Sequence, residues 1–103
     1  MDLNLVVLSG RLAAPPELRE VGRSRLARYL MTVTSTNPTR RLDVVPVTVW
    51  DPPDEIANAA PTVGMRLLTA ASVQRRFWAS AHGRRSRLEV VASHIEFRER
   101  DED

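Results

Sequence analysis

The sequence predicts an all-β domain, a small five-stranded Greek-key barrel with one short helix between its third and fourth strands. Three observations predict this fold. In several stretches apolar residues alternate with polar ones at a period of two, as in half-buried strands. Prolines and glycines fall between these stretches, where the chain must reverse. One stretch has the features of a helix, and it follows the third strand.

The first two strands flank a loop rich in turn residues. Leu3–Leu12 is the first predicted strand, and Gly10 within it predicts a bulge or a bend. Ala13–Gly22 contains two consecutive prolines and a glycine, which predicts a loop. In the second strand, Leu26–Thr34, Tyr29 alternates with polar residues, so it is predicted to lie in the core.

The third predicted strand reads RLDVVPVTVW and ends in Trp50. One side of it carries only valines at alternate positions, which is an ordinary core face: Val45, Val47 and Val49. The other side carries a proline, which normally avoids central strands, and one of the two tryptophans: Val44, Pro46, Thr48 and Trp50. We therefore expect the second side to face outwards.

A helix is predicted directly after this strand, in DPPDEIANAA. Asp51 suits the N-cap and Pro52 suits the first helical position. The helix would run for about two to three turns before the next proline and glycine. Met65–Trp78 and Ser86–Phe97 are the last two strands, joined by a turn at His82-Gly83.

This order of elements is typical of an OB-fold barrel, in which strands two and three and the adjacent loops often hold oligonucleotides. The predicted domain covers residues 1–97, and residues 98–103 form a short acidic end with four acids and two arginines. At 103 residues and 43% hydrophobic composition the chain makes one domain with a small core, which oligomerisation would help to bury.

Several function classes receive no support. There is no cysteine for a disulfide, a thiolate zinc site or a nucleophile, and His82 and His94 lack metal-ligand spacing. Serines occur without a paired histidine and acid, and phosphate-binding loops are absent, so we expect no enzyme and no cofactor or metal. No apolar stretch could span a membrane, and the amino terminus lacks a basic signal-peptide region, so a cytoplasmic, nucleoid-associated protein is expected.

Charge gives a moderate indication of nucleic-acid binding. All 15 basic residues are arginines, and the net charge is +2. Over residues 1–97 there are 13 arginines against 9 acids, a net charge of +4. Arginine binds phosphate through two hydrogen bonds and stacks on bases, although the same clusters could be solvated surface charge.

The motifs and their order resemble the bacterial single-stranded DNA-binding proteins over residues 3–97. The similar stretches are LNLVVLSGRLAAPPELR, LARYLMTV, LDVVPVTVW, TVGMRLL, RRFW and LEVVASHIEF. The resemblance implies an OB fold, a homotetramer or dimer, and binding of single-stranded DNA without sequence preference. The chain length is also similar to that of primosomal replication protein N, a short relative that forms dimers.

The resemblance also has gaps. Val44 stands where many relatives have an aromatic residue, and the loop STNPTRR carries no ring. The acidic RERDED end is short and lacks the apolar tip of the family's long recruiting tail, so the resemblance is to a short form without that tail. The recruiting role is therefore not carried over, and replication or repair proteins stay candidate partners.

The resemblance makes Trp50 and Trp78 the predicted base-stacking residues, although Trp50 could instead pack against another subunit or loop. Trp78 alternates with Arg76, whereas Phe77 points to the opposite side. Phe77 is expected to pack, with exposure near the strand end as the alternative. The predicted phosphate contacts are the clustered arginines: Arg28, Arg40, Arg41, Arg75, Arg76, Arg84, Arg85 and Arg87. The predicted function is single-stranded DNA binding in replication, recombination or repair. The alternative is a protein-interaction module that binds DNA weakly, and a primosome-like accessory protein lies between the two.

Overall fold

The computed structural model describes residues 1–99 and confirms the mainly β fold. The elements are β1 (Val6–Leu12), β2 (Glu17–Val21), β3 (Ser24–Ser35), β4 (Arg41–Trp50), α1 (Asp54–Ala57), β5 (Arg66–Ser80) and β6 (Gly83–Arg98). The strand order is β1-β5-β6-β4-β3-β2, and β1 also pairs with β3, which closes five strands into a barrel. Residues 100–103 of the predicted acidic end lie outside the described residues.

The prediction of a loop throughout Ala13–Gly22 is wrong, because β2 lies within it. β2 pairs with the first half of β3, from Glu17 opposite Arg28 to Val21 opposite Ser24, and the connecting turn uses Gly22 at a φ of 61°. Four of the five β2 side chains are exposed and the fifth is half-buried. A strand without a buried face has no hydrophobic alternation, so no periodicity in the sequence marks it.

The predicted N-cap is also wrong. α1 begins at Asp54 and has four residues, and no side chain caps it. The Asp51 carboxylate instead accepts a hydrogen bond of 3.0 Å from the backbone amide of Arg25, and the Asp51 amide donates one of 2.7 Å to the Arg25 carbonyl. The Asp51 side chain is therefore bonded to Arg25 on β3 and does not cap the helix. Within residues 1–99 no helix is long and apolar enough to cross a membrane.

The core predictions for β3 and β4 are confirmed. Tyr29 is 1% exposed, and its ring centroid lies 5.5 Å from that of Phe97. Val47 and Val49 belong to the same buried cluster, and Val45 packs against it. Alternation therefore turns the other side of β4 away from the core.

Gly10 lies where β1 leaves β5 and joins β3. The β1–β5 register runs through Gly10 without a shift, so no bulge occurs at the predicted position. A Cβ atom at Gly10 would lie 2.0 Å from the backbone oxygen of Thr32. The next residue, Arg11, pairs with both Arg66 and Thr32. Glycine is needed here because two backbones approach closely at the point of barrel closure.

Candidate nucleic-acid interface

A parallel pairing places the β5–β6 hairpin beside the outer side of β4. Val47 lies opposite Val90, and Thr48 lies opposite Val91. Farther along the hairpin, Arg76 lies opposite Arg87 and Trp78 lies opposite Arg85. Residues directly opposite one another share a face of the sheet, so this hairpin presents Trp78 and three arginines on one side.

Both tryptophans lie under arginines on this side of the molecule. The guanidinium carbon of Arg76 is 5.0 Å from the centre of the Trp50 ring, and that of Arg87 is 5.7 Å from the centre of the Trp78 ring. Trp50 is half-buried, and Trp78 is 40% exposed. Both distances are within the range of a cation–π interaction.

Glu89 joins the two pairs. Its Oε1 accepts a hydrogen bond of 3.5 Å from Arg76 and one of 3.3 Å from Arg87. Only 7% of the Glu89 side chain is exposed, against 31% for Arg76 and 49% for Arg87. The five residues Trp50, Arg76, Glu89, Arg87 and Trp78 form one continuous surface, called the indole face below. Its charged groups sum to +1.

A shallow groove adjoins the indole face. Arg28 and Thr48 line it together with Pro46, Arg87 and Glu89. Thr48 is on the predicted outer side of β4, yet it is only 3% exposed. The Arg28 Nε atom is buried and has no hydrogen-bond partner among residues 1–99. Most buried polar groups in folded proteins are hydrogen-bonded, so this donor is an exception among the described residues.

The opposite side of the hairpin carries a second aromatic–arginine pair. Phe77 is 52% exposed within the single chain, so the exposed alternative holds there and the expectation that it packs does not. The Arg84 guanidinium carbon lies 4.7 Å from the centre of its ring, and Arg75 donates a hydrogen bond of 3.1 Å to the Ser86 hydroxyl. The hairpin extends past the barrel at this point, so neither of its sides meets the core. Arg75 and Arg84 are therefore separated from the indole face.

Arg40 and Arg41 lie at the far end of β4. Arg41 begins the strand that Trp50 ends, so the two are separated by about 30 Å along the strand. Arg41 also pairs with Asp43 at 3.0 Å. The structure thus brings together Trp50, Trp78, Arg28, Arg76, Arg85 and Arg87, and leaves the other four predicted arginines elsewhere.

Glu89 belongs to the candidate site and was not found by sequence reasoning. The available signal was its position two residues after Arg87 in a predicted strand, which places both side chains on one side. The sequence could not reveal that Arg76 and Arg87 meet on this carboxylate while each lies over an indole, because that depends on the β5–β6 register and on the pairing of β4 with β6.

An OB-fold barrel with paired aromatic and cationic groups on its outside is typical of single-stranded nucleic-acid-binding proteins. The model of the single-strand binding protein family matches residues 3–98. The chain belongs to this family, whose members bind single-stranded DNA and typically act in replication and repair as homo-oligomers. No curated protein matches the chain.

Proposed function

We propose that this protein binds single-stranded DNA without sequence preference, in replication, recombination or repair, by stacking bases on Trp50 and Trp78. The observation that carries this proposal is the convergence of both indoles on one outer face beside arginines. The family match supports single-stranded DNA as the ligand. Such a protein would act on DNA in the cytoplasm, at the nucleoid.

The energetics favour binding without sequence preference. Every base has a π-face, so a ring accepts any of them, and each stacked base contributes about 1–3 kcal/mol. The net positive charge on this side of the molecule attracts the phosphate backbone independently of sequence. Val44 is 55% exposed on the same side of β4, where an aromatic residue would add a third ring. The stacking surface is therefore smaller than that of relatives with a ring there.

Fluorescence titration with oligo-dT tests the proposal. Both tryptophans are in the indole face, so binding should quench the emission of the protein. Trp78→Ala should weaken binding by about 1–3 kcal/mol. Phe77→Ala is the matched control, because Phe77 is the adjacent ring on the opposite side of the same hairpin and should change affinity little. Equal losses in both variants, or no quenching in the wild type, would contradict the assignment.

We also propose that the chain forms a homo-oligomer through β1. Leu3, Leu5 and Val7 occupy alternate positions and are each at least 61% exposed. β1 pairs with β3 only at its last two residues, so the rest of that edge is unpaired within the described chain. An exposed apolar edge strand is a template for pairing with another chain. Val7→Lys should therefore shift the mass measured by light scattering towards the monomer, and an unchanged mass would exclude this edge.

The protein-interaction alternative has one observation in its favour. Leu42 and Val44 are 60% and 55% exposed at alternate positions of β4, on the side where relatives have an aromatic residue. An apolar patch there would suit a protein partner better than a nucleic acid. If oligo-dT binds no better than duplex DNA, this alternative replaces the first proposal.

A further inference from the structure

A nearly buried carboxylate occupies the centre of a surface that is proposed to bind a polyanion. Glu89 is 9% exposed, and it lies between the two arginines that cover the indoles. A negative charge at this place repels the phosphate backbone. The contacts of Glu89 indicate that its role is structural.

Each of the two arginines has two partners at once. Arg76 contacts the Trp50 ring and the Glu89 carboxylate, and Arg87 contacts the Trp78 ring and the same carboxylate oxygen. Two contacts in different directions fix the orientation of a planar guanidinium group. The carboxylate therefore holds both cations against the rings.

Moving either arginine to a phosphate would remove a partner from Glu89. A nearly buried carboxylate that loses one of its two cationic partners is less well compensated, which is destabilising, whereas a phosphate contact at a solvated surface is weakened by salt. The loss of an ion pair with Glu89 outweighs the gain of a phosphate contact, so both arginines remain on Glu89 when single-stranded DNA binds. Arg85 lies opposite Trp78 and has no ion-pair partner in the part of the chain that the structure describes.

We infer that Glu89 is a positioning residue, which holds Arg76 and Arg87 against the two indoles and so keeps them from contacting phosphates. Phosphates near Trp78 are then contacted by Arg85. This inference rests on the proposed function, because it assigns support of the stacking rings and contact with phosphates to different arginines on the same side of the hairpin.

The first experiment measures how oligo-dT affinity depends on salt in three arginine variants. Arg85→Gln should reduce the slope of log K against log salt by about 0.7, the value for one phosphate contact on a single strand. Arg87→Gln should leave the slope equal to that of Arg19→Gln, and should weaken binding about 2- to 30-fold at every salt concentration, through loss of support for Trp78. Arg19→Gln is the control, since it makes the same change in charge on β2, outside the closed barrel.

The second experiment removes the carboxylate while keeping its shape. Glu89→Gln should release both arginines to phosphates and steepen the slope by up to about 1.4. Glu96→Gln is the matched control, because Glu96 lies on the same strand, accepts hydrogen bonds from Arg98 and His94, and is 40% exposed. Circular dichroism of both variants would establish that they fold.

The outcomes separate this inference from the proposed function. If wild-type protein does not bind oligo-dT, the proposed function fails and the inference fails with it. If the wild type binds but Arg87→Gln lowers the slope as Arg85→Gln does, only the inference is overturned. A Glu89→Gln slope equal to that of Glu96→Gln also overturns it, as does an Arg85→Gln slope equal to that of Arg19→Gln.

Discussion

Replacing Gly10 with alanine tests the account of barrel closure. The added Cβ would lie 2.0 Å from the Thr32 oxygen, whereas ordinary contact begins at 3.4 Å, so more than an ångström of separation is missing. The obstructing atom belongs to the backbone of β3, and it cannot rotate away as a side chain would. β1 and β3 must therefore separate where Arg11 and Leu12 pair with Thr32 and Met31.

The expected cost is about 3 kcal/mol, the upper end of the range for overpacked positions. This lowers the folding equilibrium constant more than about a hundredfold and the midpoint of thermal unfolding by about 12–24 °C. Urea unfolding followed by circular dichroism, at one fixed protein concentration, measures the change. Ser9→Ala is the control: Ser9 is the exposed neighbour of Gly10, and its replacement should cost less than about 0.5 kcal/mol. A Gly10→Ala variant as stable as Ser9→Ala would refute the close approach.

Two further predictions concern Tyr29 and Asp51. Burial raises the pKa of Tyr29 above its ordinary value. The free energy of unfolding is therefore unaffected by this group below about pH 10, and it decreases as the pH rises towards the folded-state pKa, because the unfolded chain loses the phenol proton first. The chain has no lysine, no cysteine and one tyrosine, so Tyr29→Phe should remove most of this alkaline dependence in urea unfolding; an unchanged pH profile would contradict it. Asp51→Ala should lower the free energy of unfolding by about 0.5–1.5 kcal/mol, because it removes the exposed hydrogen bond that the carboxylate accepts from the Arg25 amide. Asp51→Asn keeps an acceptor and should cost less, and equal losses in the two variants would show that the hydrogen bond is not the cause.

Much of the barrel could be predicted from the sequence, because its strands have one buried and one exposed side. The valines of β4 and Tyr29 of β3 follow the period of two that burial on one side imposes. β2 could not be found in this way, since its side chains lack a buried face. The N-cap expected for Asp51 failed for a different reason: local capping preference lost to a hydrogen bond with Arg25, 26 residues earlier.

For the candidate site, too, some features follow from local alternation and others only from contacts between strands. By itself the sequence determined that two indoles and many arginines occur on outward-facing positions, because alternation along a single strand is a local property. Tertiary structure alone decided which of them meet. The antiparallel pairing of β5 with β6 brings Arg76 and Arg87 onto Glu89. The parallel pairing of β4 with β6 places Trp50 beside Arg76 and leaves Arg41 at the other end of β4. Contacts between strands distant in the chain depend on closure of the barrel, which no local pattern encodes.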